Sequence, residues 1–308
     1  MLSRRRFHRS VVASLVAAAA AGRSHAQEAK PKYPAGRFVD FHTHLGPVTN
    51  YKPPLTAEEL LRWMDANEIA QACVLPLASP EASAYLVTPD FVLTATARFR
   101  DRLIPFCSID PRTDYAGGPR GLLDMLKRYV DAGARGFGEH KTGLAIDDPR
   151  NMKIYEACAA LKLPVLIHID GFRNMDQPGL PGLAKVAAAF PETNFLGHAF
   201  GWWSSLSGGV TQADLARSPG PGPVVPGGAI DSLMEKHPNI YGDLSATSGA
   251  MAIRRDLKFG REFLIRRADR LVFGSDYFSA GQNVLQFELY RELDLPADVQ
   301  QKIFRDNA

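Results

Sequence analysis

His42 and His44 stand two residues apart at the end of an apolar run, Arg37–His42. In a strand, residues two apart face the same side, so both rings can grip one cation. Three further groups close similar runs: His168 ends Val165-Leu166-Ile167-His168, His198 ends Leu196-Gly197-His198, and Asp276 ends Phe273-Gly274-Ser275-Asp276. A lone histidine at a strand end is more often hydrogen-bonded structure than ligand. An HxH pair joined by two more strand-end histidines and a strand-end aspartate is a stronger signal, and it points to a bound divalent metal. Imidazole nitrogen and carboxylate oxygen suit Zn2+, with Mn2+, Fe2+ or Co2+ as alternatives, in one or two ions. Asp40 precedes the pair on the same face and is a candidate partner for a ring N–H.

Less decided positions surround this set. Glu139 and Lys141 share one face of Gly136–Lys141, with His140 on the other. Glu139 is a candidate ligand, or else an ion-pair partner of Lys141 or Arg173; His140 is expected to pack between sheet and helix. Arg173 follows the His168 run and could clamp a substrate carboxylate through two parallel hydrogen bonds, or simply be a solvated loop arginine. Trp202 and Trp203 are candidate walls of a substrate pocket, unless one only anchors its loop. Asp243 and Ser245 are read as hydrogen-bonding support.

Residues so far apart in sequence need a fold that gathers them. Eight strand-like runs are present: 37–42, 71–77, 103–109, 134–140, 164–169, 194–198, 239–244 and 271–276. Helical patterns alternate with them, among others at Ala57–Asn67, Gly121–Ala132, Met152–Leu161, Leu183–Phe190 and Gly260–Arg267. Strand–helix alternation predicts a parallel sheet with helical crossovers. Eight units in about 270 residues predict a (β/α)8 TIM barrel rather than an open sheet, and strand ends in that fold converge on one face. No GxGxxG follows any strand, against a dinucleotide-binding sheet. Gly201–Gly228 is too long for a connector and is rich in Gly, Pro and Ser. Following the sixth strand, it is expected to be a lid or substrate loop.

The motifs also resemble a family. Phe38-Val39-Asp40-Phe41-His42-Thr43-His44-Leu45-Gly46 is similar to the opening of the amidohydrolase superfamily, and the His168, His198 and Asp276 motifs agree with it. Tyr241-Gly242-Asp243-Leu244-Ser245 and Ile303–Ala308 resemble its amidohydrolase-related branch, which includes hydrolases and aminocarboxymuconate-semialdehyde decarboxylase-like enzymes. The resemblance implies that His42, His44 and His168 are ligands. It implies that Asp276 binds metal, accepts a proton from water, or both, and that His198 is a further ligand or an acid/base. The first expectation is a metal-dependent hydrolase in which activated water attacks a carbonyl centre of a small molecule. The alternative is a nonoxidative decarboxylase, with Arg173 orienting a carboxylate and His198 moving the proton. A minor alternative is a periplasmic metal- or ligand-binding protein without turnover. A ligand at Glu139 and a second metal favour hydrolysis; a bare fourth strand with one metal favours decarboxylation.

Composition restricts partners more than reactions. The chain has 308 residues, 45% hydrophobic and 22% charged, with net charge +3. Arg4, Arg5, Arg6 and Arg9 account for that excess, so the body is near neutral and offers no footprint for nucleic acid or an anionic membrane. Residues 1–26 have a basic start, an apolar run and a small-x-small site at Ser24-His25-Ala26, the layout of a secretory signal. Ser3-Arg4-Arg5-Arg6-Phe7 resembles a twin-arginine (Tat) export signal, with an ordinary Sec signal as the alternative. The expectation is Tat export, cleavage after Ala26, no remaining membrane anchor and a periplasmic or secreted protein. A lead segment, 27–36, then precedes the barrel at 37–308; a homo-oligomer is left open. Cys73, Cys107 and Cys158 are odd in number and widely spaced, neither a disulfide framework nor a zinc-type CxxC.

Overall fold

A computed structural model of the chain describes residues 36–116 and 120–308, so the expected signal segment lies outside the described residues. Eight short strands follow one another: β1 Phe38–Thr43, β2 Ile69–Val74, β3 Leu103–Pro105, β4 Phe137–His140, β5 Val165–His168, β6 Phe195–His198, β7 Ile240–Asp243 and β8 Leu271–Val272. Every paired neighbour is parallel, in the orders β1-β2-β3 and β4-β5-β6-β7-β8. Backbone hydrogen bonds close both seams. Between β3 and β4, Cys107 N donates to Gly136 O and Gly138 N to Cys107 O, each at 2.9 Å. Between β8 and β1, Phe41 N donates to Phe273 O at 2.9 Å and Asp276 N to His42 O at 2.8 Å. The result is the (β/α)8 barrel the alternation predicts; β3 to β8 are trimmed versions of the expected runs, while β1 shifts by one residue and β2 begins two residues earlier than expected.

The crossovers are α1 Ala57–Ala66, α2 Pro89–Thr96, α3 Gly121–Asp131, α4 Pro149–Ala160, α5 Pro181–Ala189, α6 Ala199–Ser204, α7 Ala229–Lys236, α8 Ala246–Arg254, α9 Leu257–Arg266, α10 Gln286–Leu293 and α11 Ala297–Gln301. Local chemistry sets their starts. Thr56 and Glu59 form a reciprocal capping box at α1. Asp148 caps α4 with Pro149 behind it, so that helix begins three residues before the apolar periodicity does.

Two apolar layers result. Phe41, Cys73, Leu75, Phe106, Leu166, Leu196 and Val272 form one buried cluster, and side chains from six strands or their ends can meet only inside the barrel. A second, larger cluster packs the outer strand faces against the helices and includes Trp202 and Trp203. A side chain at Gly197 would put its Cβ 2.3 Å from the Trp202 ring, so the glycine opens the slot that this indole fills.

Candidate metal centre

The strand ends bring His42, His44, Glu139 and Asp276 together. His42 Nε2 lies 3.0 Å from His44 Nε2, and Asp276 Oδ1 lies 3.3 Å from His44 Nε2 and 3.6 Å from His42 Nε2. Glu139 Oε2 completes the group at 3.5 Å from His44 Nε2 and 3.8 Å from His42 Nε2. The other oxygen of the same carboxylate faces a second pair: Glu139 Oε1 is 2.5 Å from His168 Nδ1 and 3.7 Å from His198 Nε2. Within each group, His42–His44–Glu139 and Glu139–His168–His198, the nearest ligand atoms lie within 4.8 Å of one another. Glu139 is thus the shared wall of two donor sets.

Around these atoms lies a scaffold that aims them. Asp243, at the end of β7, accepts from His42 Nδ1 at 2.7 Å, lies 3.1 Å from His198 Nδ1, and accepts from Ser245 Oγ at 2.7 Å. Ser245 Oγ is also 3.0 Å from His198 Nδ1. His44 Nδ1 is held 2.8 Å from Leu75 O. With their Nδ1 atoms occupied, His42, His44 and His198 present Nε2 to the centre. Asp40 does not take the ring N–H expected of it. Its Oδ1 accepts from the backbone N–H groups of His42 at 3.1 Å and Ser275 at 3.0 Å, and its Oδ2 from Ser275 Oγ at 2.5 Å. Asp40 therefore ties β1 to the segment after β8.

The charge balance fits a bound cation. Burial opposes ionisation of Glu139, yet Lys141 and His168 hold its carboxyl well below the usual range. Burial also disfavours charge on His42, but Asp276 and Asp243 outweigh it and raise that ring well above an ordinary imidazole. Burial, aided by repulsion from His42, keeps His198 low and hence neutral. Buried carboxylates that raise a neighbouring imidazole mark a site whose surroundings favour positive charge. The donor set, imidazoles with carboxylates, fits a divalent metal.

The remaining sequence candidates divide. Lys141 Nζ lies 3.3 Å from Glu139 Oε2, so Glu139 meets both the ligand set and the ion pair that were weighed for it. His140 turns away, with Nε2 3.0 Å from Asn151 Oδ1 on α4. Trp202 and Trp203 are 0% and 1% exposed and lie in the outer core; Trp203 Nε1 donates to Asp243 O at 3.0 Å. The structure does not bring either ring to a pocket wall. Arg173 donates Nη1 to Asp170 Oδ2 at 2.6 Å and Nε to Glu81 O at 2.8 Å, so two of its five N–H donors are spent within the protein. Gly201–Gly228 opens with α6 rather than a free loop, and its Ala216 reaches the β5 loop, 2.4 Å from where a Gly171 Cβ would stand. The sequence reading missed Asp170, whose Oδ2 lies 2.9 Å from His168 Nε2. The two-residue spacing that marked His42 and His44 also separates His168 and Asp170.

A protein-family profile described as Amidohydrolase matches residues 39–308. No curated protein sequence matches. Solved structures share the fold. A probable 2-pyrone-4,6-dicarboxylic acid hydrolase from Acinetobacter baumannii, with citric acid bound, superposes with TM-score 0.57 at 13% identity, over 88% of this chain and 97% of the other. A 2,6-dihydroxybenzoate decarboxylase from Rhizobium gives TM-score 0.52 at 16% identity, over 88% and 96%. A dihydroxybenzoic acid decarboxylase from Polaromonas sp. JS666, with manganese and 2-nitroresorcinol bound, gives 0.51 at 13%, over 87% and 94%.

Proposed function

Because this chain belongs to the amidohydrolase family, we propose that it is a metal-dependent hydrolase acting on an ester, lactone or amide carbonyl of a small molecule. The observation that carries this reading is the division of Glu139, with one oxygen toward His42 and His44 and the other toward His168 and His198. His42, His44, Asp276 and Glu139 would hold one divalent ion, and Glu139, His168 and His198 a second. When bound, such ions polarise a carbonyl and make water acidic enough to lose a proton near neutral pH. Asp276 is placed to take that proton at its carboxylate. Its side chain is 22% exposed where that of Glu139 is 1% exposed, so it is the carboxylate of the set that substrate and water can reach. Zinc is the proposed metal on its donors; manganese, held by the Polaromonas relative, is the alternative. The arginine-rich leader supports Tat export to a periplasmic or secreted location.

The decarboxylase reading has its own support in the Lys141–Glu139 ion pair, at 3.3 Å. If Lys141 keeps Glu139 for itself, one ion remains and His198 is left to move a proton. Metal content of protein purified without chelators separates the two. The hydrolase reading expects about two equivalents, falling to about one in Glu139→Ala, with turnover of esters, lactones or amides. A single equivalent, unchanged in Glu139→Ala and lost in His42→Ala, would replace it with the decarboxylase.

A further inference from the structure

Among the four histidines of the centre, His168 is turned the other way. His42, His44 and His198 have Nδ1 held by the scaffold and Nε2 free for the centre. His168 has Nε2 held, 2.9 Å from Asp170 Oδ2, and offers Nδ1 toward Glu139. An ionised carboxylate only accepts hydrogen bonds, so the nitrogen facing it must carry the proton. Both nitrogens of His168 face such a carboxylate, Nδ1 toward Glu139 and Nε2 toward Asp170; a cation held on the Glu139 side would take the lone pair of Nδ1 and leave the single proton of a neutral ring on Nε2.

Asp170 is itself fixed. Its Oδ1 accepts from the backbone N–H groups of Phe172 and Arg173, both at 2.7 Å, and its Oδ2 accepts from Arg173 Nη1 at 2.6 Å. Arg173 in turn donates Nε to Glu81 O at 2.8 Å. The Glu81 carboxylate receives Arg112 Nη1 and Nη2, each at 2.7 Å, and Arg112 Nη2 also reaches Asp110 Oδ2 at 2.6 Å. The loops after β2, β3 and β5 are thereby joined in one polar chain ending on the ring of His168.

We propose that Asp170 is a positioning residue: braced by Arg173 against the Glu81 loop, it holds His168 protonated at Nε2, so that Nδ1 is the nitrogen offered to a metal. The assignment rests on the proposed reading only in taking His168 as a ligand. It gives Arg173 a structural role at the rim, through Nη1 and Nε, beside the substrate-clamping role its position suggested.

Long-range 1H–15N spectra of 15N-histidine protein loaded with zinc report which nitrogen of His168 carries hydrogen, with His168→Asn supplying the assignment. The parent should show Nε2–H. Asp170→Ala should lose this fixed tautomer and bind zinc roughly 10–100-fold more weakly in chelator competition, a loss that persists when compared at temperatures where both chelated proteins are fully folded. Asp170→Asn keeps the shape but turns one acceptor oxygen into an NH2 donor; with its oxygen on the Phe172 and Arg173 N–H groups, the NH2 faces His168 Nε2 and should favour Nδ1–H, lowering zinc affinity as Asp170→Ala does. Nδ1–H in the parent, or parental spectra and affinity in Asp170→Ala, would overturn the assignment. If Asp170→Ala does not fold, Arg173→Met takes its place, with a several-fold loss of zinc affinity expected and an unchanged affinity counting against the bracing. One zinc per parental chain would remove the binuclear reading while leaving the protonation of His168 legible.

Discussion

Asp243 is oriented toward the ring nitrogens that face away from the centre. Its hydrogen bond to His42 Nδ1 at 2.7 Å and its position 3.1 Å from His198 Nδ1 make one carboxylate the anchor of a ligand in each donor set. Burial opposes its ionisation, but the charge of His42 and the hydrogen bonds of His198 and His42 hold it well below the usual carboxylate range. Partners of this kind typically contribute 10–100-fold in metal affinity. On the proposed two-ion reading, Asp243→Ala should therefore weaken both ions by roughly 10–100-fold in chelator competition, where Asp170→Ala weakens one; an affinity equal to the parent's would deny Asp243 this role. The residues that gather at the centre were legible in sequence because most of them close an apolar run, and a strand end is where a barrel exposes side chains to its active face. Asp243 could be read only as support, because its partner His42 lies 201 residues away. Asp40 misled for the opposite reason: it shares a strand with His42, but its carboxylate is captured by Ser275 across the β8–β1 seam.

At the scale of elements, glycines separate packing from aim. Gly197 faces outward on β6, where a Cβ would meet the Trp202 ring at 2.3 Å. Gly197→Ala should cost about 1–3 kcal/mol through overpacking, read by denaturant melts, with metal affinity close to the parent's. Gly274 follows β8, and a Cβ there would lie 2.4 Å from Asp243 Oδ1 and 3.2 Å from His42 Cβ. Gly274→Ala should therefore lower metal affinity as well as stability, and equal behaviour of the two variants would refute the distinction. The strand–helix alternation was readable because period and turn chemistry are local. The burial of Trp202 and Trp203 was not: two tryptophans in a Gly-rich segment look like a pocket wall until β6 and β7 show the slot beneath them. The loop chain adds a pH dependence. Hydrogen bonds from Arg112 hold Glu81 below its usual value, and they outweigh burial to do the same for Asp110. Depressed carboxylates stabilise fully above their unfolded values, about 4, and lose that contribution as pH falls through their folded values. Arg112→Gln should accordingly lower the melting temperature at pH 7, and the gap from the parent should narrow as the pH is taken below 4; a gap constant with pH would mean Arg112 acts by packing alone.

For the whole molecule, the centre works as a clasp. Its donors come from the ends of β1, β4, β5 and β6 and from the segment after β8, so positive charge at the middle holds strands from both sheet segments and spans the β3–β4 and β8–β1 seams. Glu139 and Asp276 face His42, His44, Lys141 and His168 across this centre, and the carboxylates raise His42 toward protonation. The folded barrel gathers these donors and the unfolded chain scatters them, so an ion stabilises the fold by mass action. At a free metal concentration about 1,000 times Kd the gain is roughly 4 kcal/mol. For a domain of this size each kcal/mol moves the melting temperature by about 2–4 °C, so removing the metal should lower it by on the order of 10 °C. Exhaustive chelation followed by thermal scanning tests this, with zinc added back to restore the original transition. His42→Ala should melt near the chelated parent and respond weakly to either treatment, because it lacks the ring that faces His44, Glu139 and Asp276 together. A parent whose melting temperature ignores both chelator and zinc would show that the strand ends converge without a metal between them, and the hydrolase and decarboxylase readings would both fall with it.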